Sequence, residues 1–423
     1  CPCAQQDRRC ETLSTMPLVT IEQLKDVFGR LTPGARAVAS GNFATPTALI
    51  SALDESLESY TLHMLNAHGD LPDRPGVTLE TAFVGPGMRG KAGLSYVPSR
   101  LSMVPLLYFG PLQPDVVLLH TTVPRDGRVS LGIEVNVLPA ELEAVRARGG
   151  IVVGMMNPRM PYLYGDAEML TGHFDYLVEV DTPLPAIRAT APDERSRAIG
   201  GNVAEMIDDG ACMQLGIGAV PDAVLESLKG HRELTVWSEM ISDGVHSLER
   251  AGALSKKRPI VSSFIFGSNE LYEWIDGNHR IRMLRTEKTN DPALIARHPR
   301  MTSVNAALQV DLFGQANASS IKNRIYSGFG GQTDFIVGAM HAPQGQAFIA
   351  LSSIHDKSGS SNIVDALSTR VTSFQQTAVV TEQAVARLWG LSQAGQARAI
   401  ISHAAHPSAR AFLTQRAGEL GLG

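Results

Sequence analysis

The sequence predicts an α/β protein built from two related α/β domains, each with a mixed, mostly parallel sheet. Short apolar runs alternate with amphipathic helical patterns along the chain, which is typical of layered α/β folds. Segments 34–53 and 210–228 share one order of strand, glycine-containing loop, proline and helix. A repeat of this kind indicates that the two halves of the chain are structurally related.

The apolar runs predict buried strands, and the amphipathic runs predict helices between them. Three runs are rich in β-branched and apolar residues, as expected for strands covered on both faces: 115–120, 149–156 and 347–354. The pattern over 139–149 predicts a helix that ends at a glycine. A further helix is predicted over 381–390, capped by Thr381 and ended by Gly390.

The repeat also predicts the domain organisation. Gly41 and Pro46 in the first copy match Gly216 and Pro221 in the second. The segment 181–197 lies between the two copies and combines several prolines with charges of both signs, which is typical of a domain boundary. The expected domains are an N-terminal domain over 16–190 and a C-terminal domain over 191–423.

Composition and charge exclude several classes of protein. Of 423 residues, 44% are hydrophobic and 19% are charged, so a large apolar core is expected rather than disorder. The formal net charge is -5, and the only basic block is the triplet at 256–258, so nucleic acid is not an expected partner. No apolar run is long enough to span a bilayer, so a membrane is not an expected partner either.

Cysteine usage indicates a reducing compartment. Three of the four cysteines lie in the first ten residues, and no Cys/His cluster follows them. A long chain with so few cysteines fits the cytoplasm, which is the expected location. Residues 1–15 have neither the apolar segment of a signal peptide nor a folding period, so we expect a disordered extension before Met16.

The second copy of the repeat predicts a loop that faces an anion. Apolar residues run into Gly216-Ile217-Gly218, whose glycines allow a tight turn and the close approach of a ligand. Pro221 suits the first turn of a following helix, where its missing N–H is not needed. The N–H groups at that helix end would point at an anion or a developing oxyanion. A plain strand-to-helix turn is the alternative; a dinucleotide fingerprint would have glycine at position 221.

A second glycine-rich loop occurs in "YSGFGGQTDFIVG". Gly328, Gly330 and Gly331 cost backbone entropy, and their consecutive N–H groups could form an oxyanion pocket. A β-bulge or a hairpin turn is the alternative. In the preceding segment, Asn317 could donate its amide to an oxyanion or could belong to an ordinary turn. Lys357 precedes a Ser/Gly-rich loop and could reach a phosphate, although such lysines are usually solvated.

Glu239 is the acid that stands out. It follows the apolar run 234–237, which predicts a buried strand, and it precedes a predicted turn at 242–244. An acid near a strand end often caps a helix or pairs with arginine, but between two glycine-rich loops it is also a candidate nucleophile. The nearby Glu270, Glu273 and Glu287 have no comparable setting and are expected at the surface or in salt bridges.

Taken together, these segments resemble the class I coenzyme A transferases. More narrowly, they resemble the acetyl-CoA hydrolase/transferase branch, which includes 4-hydroxybutyrate, butyrate and succinate:acetate CoA-transferases. The resemblance runs from about Met16 to the C-terminus. The motifs that carry it are "LSYVPSRLSMVP", "PDVVLLHTTVPRDGRVSLG", "MNPRMPYLYGD", "LGIGAVPDAVL", "SEMISDGV", "TNDPALIA", "VNAALQVDLFGQAN", "YSGFGGQTDF" and "VVTEQAVARLWG".

The resemblance implies a CoA-transferase-like fold and a set of site residues. The implied catalytic residues are the nucleophile Glu239 together with Asn317 and Gly331. The implied CoA-binding residues are Gly216, Ile217, Gly218, Ala219, Val220, Pro221, Ser327, Gly328, Gly330, Gly331 and Lys357. The resemblance also implies a homodimer, with coenzyme A or acyl-CoA as a substrate and with no metal and no permanently bound cofactor.

The implied reaction is the transfer of CoA from an acyl-CoA to a short-chain carboxylic acid. A glutamate is ionised at neutral pH, so Glu239 could attack the thioester without a general base and pass through a glutamyl-CoA thioester in a ping-pong scheme. Acetate, butyrate, 4-hydroxybutyrate and succinate are the expected acids, with Arg100 or Arg159 as partners for a second carboxylate. The alternatives are an acyl-CoA hydrolase on the same scaffold and a non-catalytic ligand-sensing module.

Overall fold

The computed structural model describes residues 17–187, 191–216, 218–322, 324–368 and 375–422. The predicted extension over 1–15 lies outside these ranges, as does Ile217 of the first glycine loop. Among the described residues, no helix combines the length and the apolar character that a membrane crossing requires.

The first half of the chain forms a parallel sheet. The strands of this half of the chain are β1 Ala35–Ala39, β2 Tyr60–His63, β3 Val77–Thr81, β4 Leu94–Tyr96, β5 Val116–Thr121, β6 Arg128–Ser130, β7 Ile151–Met156, β8 Tyr164–Gly165, β9 Glu168–Leu170 and β10 Tyr176–Glu179. Within the described residues the sheet has the order β10-β7-β5-β1-β2-β3-β4, and its neighbouring strands are parallel. Strands β6 and β9 form a separate antiparallel pair.

Helices and short 3-10 turns connect these strands. The helices are α1 Ile21–Phe28, α2 Thr47–Ser56, α3 Val104–Tyr108 and α4 Leu138–Ala147. The 3-10 turns are Asn42–Ala44, Leu101–Met103 and Thr171–His173. Two of these turns, Asn42–Ala44 and Leu101–Met103, contribute residues to the cavity described below.

The second half forms a larger sheet that also takes in β8. The strands of this half of the chain are β11 Cys212–Leu215, β12 Thr235–Trp237, β13 Met240–Ile241, β14 Ile260–Ser262, β15 Phe264–Ile265, β16 Ile281–Met283, β17 Met301–Ala306, β18 Gln309–Asp311, β19 Ala316–Asn317, β20 Ser320–Ile321, β21 Arg324–Ile325, β22 Gln346–Ala350, β23 Ile363–Val364, β24 Ala378–Val380 and β25 Val385–Arg387. In the described part of the chain the larger sheet has the order β25-β24-β22-β17-β11-β12-β14-β16-β8, parallel except for the antiparallel pair β24–β25. Strands β13 and β15, strands β18, β19 and β23, and strands β20 and β21 form three smaller sheets.

The helices of this half are α5 Glu194–Ala204, α6 Ala219–Ser227, α7 Asp243–Ala251, α8 Asn269–Ile275, α9 Thr286–Thr289, α10 Pro292–Ile295, α11 Gln332–His341, α12 Gln393–Ala399 and α13 Pro407–Glu419. A 3-10 turn covers Leu228–Gly230, and a π-helical turn covers Ile400–Ala404. Strand β8 precedes the predicted domain boundary near residue 190, yet it pairs with β16 in the second sheet. The position of the boundary therefore stays a prediction.

The predicted fold class is confirmed, because both sheets are mostly parallel and helices connect their strands. The strands predicted over 115–120 and 149–156 correspond to β5 and β7, and the helix predicted over 139–149 corresponds to α4. The strand predicted over 347–354 ends earlier, at Ala350. Both copies of the repeat are built as predicted, with β1 leading to α2 and β11 leading to α6.

Two local predictions are wrong. The segment 381–390 forms strand β25 rather than a helix, because Val385–Arg387 pairs with β24 at the edge of the sheet. Thr381 does not cap a helix. Its backbone N–H donates to the carbonyl oxygen of Ala384, and this hydrogen bond closes a hairpin. The turn predicted at 242–244 is instead the start of α7, which begins at Asp243.

The two halves are joined by backbone pairing at the second glycine loop. Gly328 forms an isolated bridge with Phe83, and Gly330 forms one with Arg100. In addition, Asp334 in the first turn of α11 accepts hydrogen bonds from the backbone N–H of Ser102 at 3.0 Å and from its hydroxyl at 2.7 Å. These contacts hold the loop and the N-terminus of α11 against the first half.

Candidate active site

A cavity of about 370 Å³ lies between the two halves. From the first half it is lined by the amide side chains of Asn42, Asn66 and Asn136 and by apolar residues that include Phe83 and Leu101. From the second half it is lined by residues that include Gly216, Glu239, Asn305, Ser327, Gly328, Gly330 and Gly331.

The parallel sheet explains why Glu239 reaches this cavity. Strands β17, β11 and β12 are neighbours in the sheet, so their carboxyl ends lie at one edge. Ala307, Gly216 and Glu239 follow close behind these three ends and line the cavity together. Ligands commonly bind at this edge of an open α/β sheet.

One amide holds the carboxylate of Glu239. The side chain of Asn290 donates from Nδ2 to Oε2 of Glu239 at 2.9 Å. Asn290 is itself oriented by Thr289, whose hydroxyl donates to Asn290 Oδ1 at 2.8 Å. The indole N–H of Trp237 donates to the carbonyl oxygen of Thr289 at 3.0 Å, which ties α9 to the end of β12. The orientation of the nucleophile candidate is therefore set by a short chain of hydrogen bonds.

The protein environment makes Glu239 a poorly solvated carboxylate. Burial raises its pKa from the usual value of 4.5 to about 7, and the nearby Asp334 adds to this rise. The hydrogen bond from Asn290 and a backbone hydrogen bond from Gly331 act in the opposite direction. Near neutral pH a substantial fraction of the side chain is consequently ionised, while few water molecules can surround it.

Gly331 has room for no side chain. A Cβ atom at this position would lie 1.7 Å from Oε2 of Glu239 and 2.2 Å from Nδ2 of Asn290. The preceding Gly330 has a φ of 55°, in the left-handed region that favours glycine. Gly331 is also the residue before α11, so the amino end of that helix lies beside the Glu239 carboxylate.

The remaining residues of the two glycine loops divide between the cavity and its surroundings. Gly216, Ser327 and Gly328 line the cavity. Gly218, with a φ of 115°, caps α6, and Ala219, Val220 and Pro221 form the first turn of that helix. These four residues do not belong to the cavity lining, and Ile217 is outside the described residues.

Asn317 and Lys357 are not brought to the cavity, contrary to expectation. The Asn317 side chain is buried and holds a turn: Nδ2 donates to the carbonyl of Ser320 at 2.8 Å, and Oδ1 accepts from the N–H of Ser319 and Ser320. The side-chain amide of Asn317 thus stabilises the backbone of the tight connection between β19 and β20. Lys357 is exposed in the turn that follows β22.

The two arginines proposed for a second carboxylate also lie elsewhere. The side chain of Arg159 is exposed and pairs with Asp181, with Nε and Oδ1 2.5 Å apart. Arg100 contributes its backbone to the pairing with Gly330, but its side chain does not line the cavity. The competing acids Glu270 and Glu287 pair with Arg250 and Arg285, which is the salt-bridge role expected of them.

Sequence reasoning missed Asn290 and a second carboxyl group near the cavity, Glu134. Glu134 is buried behind the cavity wall, and its Oε2 accepts from Nδ2 of Asn42 at 2.6 Å. Burial raises its pKa to about 8. An available signal was the acid within the apolar stretch "LGIEVNVLP", which is unusual in the same way as Glu239.

Comparison with known proteins gives a consistent result over nearly the whole chain. The family model described as the acetyl-CoA hydrolase/transferase C-terminal domain matches residues 267–417. A 4-hydroxybutyrate coenzyme A transferase from Clostridium kluyveri is 34% identical over 421 residues, covering 94% of this chain and 96% of that protein. A succinyl-CoA:acetate/propanoyl-CoA:succinate CoA transferase from Fasciola hepatica is 34% identical over 420 residues, covering 93% and 86%.

Solved structures share this fold. RipA from Yersinia pestis superimposes with a TM-score of 0.89 at 27% identity, covering 96% of this chain and 98% of that one. Proteins named acetyl-CoA hydrolase also match, at 27% to 31% identity.

Proposed function

The chain belongs to the acetyl-CoA hydrolase/transferase family, and from this membership we propose that it transfers CoA between an acyl-CoA and a short-chain carboxylic acid. The observation that carries the proposal is the position of Glu239. Its carboxylate lies in a cavity at the carboxyl ends of three parallel strands, beside the amide of Asn290 and the backbone of Gly331. Acetate, butyrate, 4-hydroxybutyrate and succinate are the proposed acids.

The proposed reaction begins with Glu239 as nucleophile. A carboxylate oxygen bonds to the thioester carbonyl carbon, the carbon–sulfur bond breaks, and the CoA thiolate leaves behind an acyl-glutamyl anhydride. The thiolate then bonds to the Glu239 carbonyl carbon, and the first acid leaves as its carboxylate. A second carboxylate reverses these steps, so CoA is transferred without any net uptake or release of protons.

The surroundings of Glu239 supply what a weak nucleophile lacks. Partial removal from water makes the carboxylate more reactive than a free one. The N–H groups of Asn290 and Gly331 and the amino end of α11 are placed to stabilise negative charge on oxygen as the tetrahedral intermediates form. One donor of this kind typically contributes roughly 3 to 4 kcal/mol to transition-state stabilisation.

For the CoA moiety we propose the rim formed by the two glycine loops. Gly216 lies in the cavity wall, and the amino end of α6 follows it through Gly218 to Pro221. The free N–H groups of that helix end suit the negatively charged part of CoA. Ser327, Gly328 and Gly330 would then contact CoA from the other side. The substrate CoA needs no metal in this scheme.

Hydrolysis of acyl-CoA is the second candidate, because the family includes proteins named acetyl-CoA hydrolase. The same glutamyl intermediate would form, and water rather than a carboxylate would consume it. Measurement of acetyl-CoA consumption with and without a second acid separates the two reactions. A rate that does not change when butyrate is added would contradict the transferase proposal.

The direct test is to trap the intermediate at Glu239. After incubation with acyl-CoA and reduction with borohydride, we expect peptide mass spectrometry to find the modification on Glu239. The Glu239→Gln variant should lose the modification and at least a thousandfold in kcat, since the amide is not a nucleophile. Glu270→Gln, at an exposed acid on α8, is the control and should behave as the wild type. Modification of another residue would overturn the proposal.

A homodimer and a cytoplasmic location complete the proposal and rest on family resemblance and on cysteine usage. Light scattering on the purified protein should give twice the mass of one chain. A monomeric mass would contradict the proposed dimer without affecting the chemistry at Glu239.

A further inference from the structure

Three asparagines in the cavity wall share an uncommon backbone conformation. Asn42, Asn66 and Asn136 have φ values of 45°, 45° and 43°, in the left-handed region. Asparagine is tolerated there better than most residues, but the conformation still costs energy and tends to occur at functional sites. All three residues come from the first half of the chain and line the same cavity as Glu239.

The three side chains form one network around a buried carboxyl group. Asn66 donates from Nδ2 to Oδ1 of Asn42 at 2.6 Å, and Asn42 donates from Nδ2 to Oε2 of Glu134 at 2.6 Å. Asn136 donates from Nδ2 to Oε1 of Glu134 at 3.4 Å, and its Oδ1 accepts from the hydroxyl of Thr286 at 2.7 Å. The amides of Asn42 and Asn136 are thus held at both ends, which determines the direction of their nitrogen atoms.

The network uses only part of the donor capacity of these amides. A primary amide carries two N–H groups, and the contacts above use one from each asparagine. Within the part of the chain that the structure describes, the second N–H groups donate to no protein atom. Asn42 and Asn136 are buried, and buried donors without partners are unfavourable, so a bound ligand with acceptor oxygens would satisfy them.

We propose that Asn42, Asn66 and Asn136 bind the carboxylate of the acid substrate, and that Glu134 is the positioning residue that holds their amides. The proposal rests on the proposed function and specifies where its second substrate lies. A carboxylate presents two acceptor oxygens, which matches neighbouring N–H donors that carry no charge. The three asparagines line the side of the cavity that the first half of the chain forms, and Glu239 lines the side that the second half forms. An acid held by the asparagines would therefore face the glutamyl group.

The charge state of Glu134 is consistent with this role. With its pKa raised to about 8 by burial, Glu134 is mostly neutral at pH 7 and does not repel an anionic substrate. The titratable groups that interact with it are Glu239 and the buried Glu141. Once Glu239 carries CoA as a thioester it is uncharged, so the approach of an acid then depends on Glu134 rather than on Glu239.

The second half-reaction isolates acid binding. The glutamyl-CoA form is prepared from acyl-CoA, freed of excess reagent and mixed with increasing butyrate, and the rate of butyryl-CoA formation is measured. For Asn66→Asp, which keeps the side-chain size but removes the donors and adds a charge, we expect the apparent butyrate affinity to fall about tenfold or more. Glu270→Gln, at the exposed acid on α8, is the control and should form glutamyl-CoA and bind butyrate as the wild type does.

Variants at Glu134 test its positioning role. Glu134→Gln keeps an acceptor oxygen for the 2.6 Å contact from Asn42 and loses only the 3.4 Å contact from Asn136, so butyrate affinity should stay within about threefold of the wild type. Glu134→Ala removes the acceptor and should weaken butyrate binding about tenfold. In the wild type the affinity should fall as the pH rises through about 8, where Glu134 ionises, and Glu134→Gln should lack this decline. Glu141→Gln is the matched control at another buried acid and should resemble the wild type.

Two results would overturn the proposal: unchanged butyrate affinity in Asn66→Asp, or unchanged butyrate affinity in Glu134→Ala. Either result, obtained while glutamyl-CoA still forms, would leave the proposed function intact. If no glutamyl-CoA forms even in the wild type, the proposed function itself fails, so the two failures can be told apart.

Discussion

At the level of single residues, the reactivity of Glu239 depends on the amide of Asn290. This amide donates to Oε2 of Glu239 and lowers the pKa that burial raises. Asn290→Ala should therefore move the rising limb of the kcat–pH profile to higher pH and reduce kcat at pH 7 by about ten- to a hundredfold. Asn290→Asp should be more damaging than the alanine variant, because it places a like charge beside the nucleophile. An unchanged pH profile in both variants would contradict this role.

Gly331 gives a second residue-scale prediction, because its hydrogen atom faces the nucleophile. A Cβ at this position would lie 1.7 Å from Oε2 of Glu239, so Gly331→Ala must displace the carboxylate, the loop or both. We expect kcat to fall at least a hundredfold, since misplacement of a reacting group by about 1 Å is already costly. Gly172→Ala is the control, because a Cβ there has no neighbour within 4 Å. Near-normal activity of Gly331→Ala would show that the loop moves freely.

At the level of secondary structure, the short helix α9 connects the two polar groups of the cavity. Thr286 donates to Oδ1 of Asn136, and Thr289, one turn later, donates to Oδ1 of Asn290. Both threonines are fully buried. One helical turn therefore orients an amide next to Glu134 and another next to Glu239.

Valine substitutions on α9 should separate these two effects. Valine has nearly the shape of threonine but lacks the hydroxyl, so each variant leaves one asparagine oxygen without its donor. Thr289→Val should lower kcat about threefold to tenfold with little change in the KM for the acid. Thr286→Val should raise that KM with a smaller effect on kcat. If both variants reduce kcat and KM alike, α9 serves stability rather than orientation.

The elements also show what sequence patterns can and cannot predict. Strands β5 and β7 and helix α4 follow from local periodicity, since their own residues determine which faces are buried. The segment 381–390 has a helical pattern, yet Val385–Arg387 forms a hairpin with the adjacent strand β24 at the edge of the sheet, and pairing of this kind overrides the helical pattern. Glu239 was predictable as an acid in an apolar run. Asn290 was not, because its partner lies 51 positions away.

At the level of the whole molecule, the cavity exists only because two halves of the chain close around it. The first half supplies the three asparagines Asn42, Asn66 and Asn136, and the second half supplies Glu239 and both glycine loops. Asp334, which accepts two hydrogen bonds from Ser102, joins these halves next to the nucleophile. A sequence repeat can indicate two related halves, but it carries no information on how they face each other. The position of the three asparagines opposite Glu239 was therefore not predicted.

This architecture places several carboxyl groups away from water, and the cost should appear in the stability of the whole protein. The pKa values of Glu239, Glu134 and Asp334 are raised by burial to about 7, about 8 and about 6. Between the unfolded pKa of each group and its folded pKa, the folded protein binds more protons than the unfolded chain. Stability therefore falls as the pH rises across that range, from about 4 towards 8.

Removing the charge at Glu239 should stabilise the protein while it abolishes activity. At pH 8 we expect Glu239→Gln to raise the free energy of unfolding by about 1 to 2 kcal/mol, because the buried negative charge is removed. The pKa shift alone corresponds to a larger gain, but the side chain is only partly buried, and water screens part of the effect. The gain should shrink towards zero near pH 4, where the carboxyl group is protonated in both the folded and the unfolded state. Urea unfolding at both pH values measures it, with Glu270→Gln as the exposed control. A variant less stable than the wild type at pH 8 would mean that the ionised carboxylate is well solvated and does not destabilise the folded protein. The reactivity attributed to its burial would then need another source.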